Sequence, residues 1–173
     1  MNNCKNSNCD NLNYNLSKEC SNQCSCSPEV GGAVMKCGSG ATGPLPILDL
    51  AGASIINPYS VASVTIDTRR LKCPSVLINF TGLINVPAGV IPSITFRLIK
   101  TCNGSSQSVG GSYTFSSAFE LIHSESFSFQ FCDCGDCCGC TTYTVEISNA
   151  TLAQAGTTVS GTVSAIAVEN DCC

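Results

Sequence analysis

Five of the ten residues in FCDCGDCCGC, positions 131–140, are cysteines: Cys132, Cys134, Cys137, Cys138 and Cys140. Three chemistries fit that spacing. Thiolates one and two residues apart can share a soft metal ion. Cys134 and Cys137 have the form of one zinc knuckle, with Cys20 and Cys24 as a second knuckle far away in sequence. Cys134-Gly135-Asp136-Cys137 also has the spacing of a redox pair, without the strand–helix context that lowers a thiol pKa. The third chemistry is covalent stapling. Vicinal cysteines, as in Cys137–Cys138 and Cys172–Cys173, have Cα atoms about 3.8 Å apart, below the roughly 4.4–6.8 Å usual for disulfides, so the two members reach different partners. Stapling is the preferred reading. Cys73, Cys102, Cys132, Cys134, Cys137, Cys138 and Cys140 are its candidates within one subunit, and a metal site on the five cysteines of 132–140 is the alternative. No cofactor is expected.

Other residues capable of chemistry offer less. His123 is the only histidine, so a triad or a mixed Cys/His zinc site would have to use it, and no G-x-S-x-G or H-E-x-x-H occurs. Glu120 and Glu125 read as a solvated rim rather than a glycosidase pair. GSGATG (38–43) matches the dinucleotide fingerprint, but Pro44-Leu45-Pro46 forbids the helix it needs, which leaves a flexible linker turn. TRRLKC (68–73) holds three of the eight basic residues and reads as a solvated loop or an interface ion-pair donor. The sequons at 79–81, 103–105 and 149–151 matter only in a secreted eukaryotic chain. An enzyme is not expected.

A net charge of −4 with 12% charged residues provides no footprint for nucleic acid or an anionic membrane. The apolar runs fall well short of the roughly 18 residues of a membrane span. Fifteen cysteines in 173 residues lie in the range of disulfide scaffolds, which belong to oxidising compartments. Yet MNNCKNSNCDNLNYNLSKEC contains no apolar core of a secretory signal. The expectation is either thiols holding metal in a reducing cytosol or an oxidising exterior reached by another route. An odd count also leaves one thiol free or bonded to another chain.

The elements that must position these thiols fall into two parts. Residues 1–32 read as an extended cysteine-rich arm: eight of the first 22 residues are Asn, and after Met1 the large apolar residues are Leu12, Tyr14 and Leu16. Residues 33–173 read as one β-sandwich domain. SITFRLIK (93–100), ESFSFQF (125–131) and TYTVEIS (142–148) alternate apolar and polar residues with period two, the pattern of half-buried strands. Further strands are expected at 47–56, 60–67, 75–80, 112–122 and 159–169. Turns are expected at Asn57–Pro58, Cys73–Pro74, Pro87, Gly104, Gly110–Gly111 and Gly156. About eight strands with this punctuation predict an all-β, jelly-roll-like sandwich, with 132–140 as a loop between two strands.

A thiol-bearing arm, a strand-rich body and cysteines near its first and last strands resemble the endospore appendage subunits of spore-forming bacteria. VMKCGSGATG, SVASVTIDT and FCDCGDCC also resemble a cysteine-rich, strand-rich family of clostridial spore formers. The first resemblance implies a jelly-roll subunit made in the mother cell and oxidised on release. It further implies helical self-assembly into an extracellular fibre on the spore surface, with itself as main partner and other spore-surface proteins beside it. It implies that arm cysteines Cys20, Cys24 and Cys26 bond to Cys37 in the first strand and to Cys172 or Cys173 after the last. This arm is longer than the connector of that family and lacks an adjacent Cys-Cys pair, and the 132–140 cluster has no counterpart there.

Overall fold

A computed structural model describes residues 31–45, 58–89, 92–117, 123–134, 139–150 and 156–170. These contain eight strands: β1 (Ala33–Thr42), β2 (Tyr59–Asp67), β3 (Ser75–Val86), β4 (Ser93–Cys102), β5 (Ser105–Ser116), β6 (His123–Asp133), β7 (Cys140–Ala150) and β8 (Thr158–Val168). Every pairing is antiparallel. One sheet, here sheet A, has the order β1-β8-β3-β6, and sheet B has β2-β7-β4-β5. Apart from the β4–β5 hairpin, consecutive strands cross from sheet to sheet in the interleaved order of a jelly roll.

Parity makes the core. Ile94, Phe96 and Leu98 of β4 and Tyr143, Val145 and Ile147 of β7 point inward from sheet B. Ile78, Phe80 and Ile84 of β3 and Val159, Val163 and Ala165 of β8 meet them from sheet A. The Phe80 ring lies 5.8 Å from Phe96 and 5.2 Å from Phe129, so aromatic contacts tie the two sheets across the middle. β4 turns into β5 through Asn103-Gly104, both at positive φ (50° and 79°), the conformation that a two-residue hairpin turn requires.

Three expectations change. GSGATG is not a linker: Gly38 to Thr42 lie within β1, paired with β8. Its glycines are needed because β1 runs directly over β2. A Cβ on Gly38 would sit 1.8 Å from the Ser63 carbonyl oxygen, and one on Gly40 would sit 2.2 Å from that of Val61. Gly110–Gly111 is not a turn between strands but part of β5, at a bulge where register with β4 shifts between Phe96 and Leu98. Cys132 and Cys140 are not in a loop: the first is on β6 and the second opens β7. The strand expected at 47–56 and the end of that expected at 112–122 fall on or largely on residues outside the described ones.

Candidate functional site at the cysteine pole

Five of the six described cysteines lie at one end of the sandwich, and the sixth, Cys37, lies midway along β1 opposite Ser164 of β8. β1 begins beside the end of β8, where Ala33 pairs with Val168 and Glu169 N–H donates to the Gly32 carbonyl. β2 ends as β7 begins, with Asp67 opposite Cys140, and Cys102 closes β4 opposite Thr141. Thr68 N–H donates to the Gly139 carbonyl at 3.1 Å, drawing the end of the 134–140 segment against the 68–74 turn. Cys73 sits in that turn at φ 42°, just before β3. The other end of the sandwich, where β1 ends at Thr42 and β8 begins at Thr158, has no cysteine among the described residues.

The floor of this pole is charged and buried. Lys100 continues the inward parity of Ile94, Phe96 and Leu98, and its Nζ lies 2.7 Å from Asp133 Oδ2 on the opposite sheet; the two side chains are 5% and 13% exposed. Tyr143, register partner of Lys100, donates its hydroxyl to the same carboxylate oxygen at 2.5 Å. Burial, then that hydrogen bond and the Asp133 charge, hold the Tyr143 phenol above its ordinary range. Asp133 lies between Cys132 and Cys134, so this intersheet bridge anchors the base of the cysteine segment. The sequence signal for it was parity: Lys100 and Asp133 each fall on the apolar face of their strand.

The rim is held by carboxylates. Glu169 accepts from the Gly32 N–H at 3.1 Å and the Lys72 N–H at 3.2 Å, which lowers its pKa and clips the start of β1, the 68–74 turn and the end of β8 together. Asn170 adds a hydrogen bond to Ser75. Asp67 is held down to about 2 by the Arg69 guanidinium and backbone N–H.

The thiols divide by face. Cys37 and Cys132 are exposed on the outer face of sheet A, on its two edge strands, and both are free thiols. Cys140 is a free exposed thiol on the outer face of sheet B, and Cys134 is exposed beyond β6. Cys132 and Cys140 therefore lie on opposite outer faces, and one ion cannot take both as ligands. Among the described residues no group of three or more His, Cys, Asp or Glu could hold a metal ion. Cys73 and Cys102 are not among the free thiols, and each has an interaction partner. Cys20, Cys24, Cys26, Cys137, Cys138, Cys172 and Cys173 lie outside the described residues.

These features define a jelly-roll domain with five of its six described cysteines gathered at one pole. Residues 31–168 match the family described as Domain of unknown function (DUF4489), and the chain belongs to that family. The match runs from just before β1 to the last residue of β8. No curated protein and no solved structure matches the chain.

Proposed function

We propose that the protein is a structural subunit that assembles head to tail into a disulfide-cross-linked extracellular fibre of the endospore-appendage type. The observation that carries this reading is Cys37: an exposed free thiol midway along the first strand, which is an edge strand beside the last one. In this reading Cys20, Cys24 or Cys26 of one subunit bonds to Cys37 of the next, and Cys172 or Cys173, three residues or so beyond the rim, is a second acceptor. Cys73 and Cys102 are staples within the subunit, closed by thiols of the 132–140 segment other than the free Cys132 and Cys140. A contact between unlike surfaces that does not close on itself generates a filament. Edge strands allow added backbone pairing at the same junction, and disulfides make the assembly hard to dissociate.

The test is the purified oxidised chain on denaturing gels with and without reductant, with bound metal measured in parallel. Expected are ladders, or material that does not enter the gel, which collapse to 17.9 kDa only with reductant. A monomer carrying stoichiometric zinc and destabilised by chelator would replace the fibre with the alternative reading, a cysteine-rich metal-binding spore-coat protein.

A further inference from the structure

The outer face of sheet A is unlike any other described surface. Its four strands align side chains in rows. Met35, Ile166, Leu77 and Cys132 form one; Ala41, Ser160, Leu83 and Ser126 form another, bordering a shallow groove with Ser39 and Thr81. The rows between them carry Cys37, Ser164, Asn79 and Gln130, then Ser39, Thr162, Thr81 and Ser128. None of these residues is charged, because Lys36, Glu125 and Asp133 fall at the other parity. The four exposed large hydrophobics of the described residues, Met35 (60%), Leu77 (40%), Leu83 (44%) and Val168 (41%), all belong to this face. A contiguous apolar patch rimmed by polar groups marks a binding surface.

We propose that this face receives the Asn11–Ser17 segment of a neighbouring copy, an inference that rests on the fibre reading and names its docking surface. Residues 11–17, NLNYNLS, are uncharged like the face, and their Leu12, Tyr14 and Leu16 alternate, so an extended segment presents all three to one side. The Asn and Ser residues between them suit a Ser/Thr/Asn/Gln surface. Residues 1–30 join the body at Gly31, beside Glu169, at the end of the face that carries Val168. From residue 16 to residue 31 an extended chain reaches up to about 50 Å, enough to leave one body and cross the face of the next. Cys9 and Cys20 flank the segment as Cys37 and Cys132 flank the face, so docking brings thiols of the two copies into one neighbourhood without new charge.

The test uses the reduced full chain, so that no disulfide contributes. Its own segment is disabled by Leu12→Asn, Tyr14→Asn and Leu16→Asn, and the probe is a fluorescent peptide of residues 10–19, DNLNYNLSKE. Expected is saturable binding, weakened at least tenfold by Leu77→Lys with Leu83→Lys and unchanged by Thr144→Lys on sheet B, with circular dichroism confirming the fold of each variant. Amide shifts of the isotope-labelled chain on adding peptide give a readout that needs no face substitution, and they should cluster on Met35, Leu77, Leu83 and Ile166. No binding, or shifts on sheet B, overturns the assignment. Binding to the disabled chain but not to the native one at a dilution where the native chain is monomeric would put each segment on its own face and overturn the neighbour. Polymer on oxidised gels with no peptide binding keeps the fibre and removes the face; peptide binding without polymer does the reverse.

Discussion

The two outer faces of the sandwich are built from strands of similar length and parity but of opposite chemistry. Sheet B carries charge across its middle, where Arg97 of β4 meets Glu146 of β7 at 3.2 Å, and at its edge, where Arg69 meets Asp67 at 2.6 Å. Threonine pairs such as Thr65–Thr142 and Thr95–Thr114 fill the space between. Such a face is solvated and resists adhesion. Sheet A has no charge on its outer side and collects the exposed large hydrophobics. Solubility alone would favour charge on both, and the difference is what the proposed contact through sheet A requires.

The largest expected effect falls on what both faces share, the buried bridge beneath the cysteine pole. Asp133→Ala leaves Lys100 buried without its carboxylate and should cost about 3–5 kcal/mol in urea unfolding, whereas replacing both by Met and Leu should cost far less. Next comes the closure of β1 over β2. Gly38→Ala puts a methyl group into the Ser63 carbonyl and should cost about 3 kcal/mol, with faster amide exchange along β1. If β1 loosens, Cys37 loses its fixed position on sheet A, so cross-linking through Cys37 should fall as well. On the solvated face, Arg97→Ala should cost no more than about 1 kcal/mol and its effect should shrink in salt. A larger, salt-independent loss there would break the contrast between the faces.

The smallest effect is in acid. Glu169 has a folded pKa below its ordinary value, so its contribution is complete above the unfolded value near 4.5 and is lost as pH falls through the lowered one. Exchange of the Gly32 and Lys72 amides should rise over that interval, and Glu169→Gln should flatten the profile.

Much of the fold could be read from the chain because it rests on local parity. Ile94, Phe96 and Leu98, or Tyr143, Val145 and Ile147, announce their buried side without reference to any other strand. β1 could not be read in this way. Its glycines look like a linker, and their need arises only from β2 passing over them. The uncharged face was also hidden, since it forms when β1, β8, β3 and β6 become neighbours, and no one of those segments is unusual by itself. Likewise, the spacing of FCDCGDCCGC does not reveal that Cys132 and Cys140 end on opposite sheets.

The central claim concerns Cys37, and isotope mixing addresses it directly. Reduced chains grown in ordinary and in nitrogen-15 medium are mixed, oxidised, digested without reductant and analysed by mass spectrometry. Expected are Cys37 peptides bonded to arm cysteines in mixed-isotope pairs, while Cys73 and Cys102 appear in same-isotope pairs alone. Cys37 recovered as a free thiol, or bonded within its own chain, would contradict the assembly.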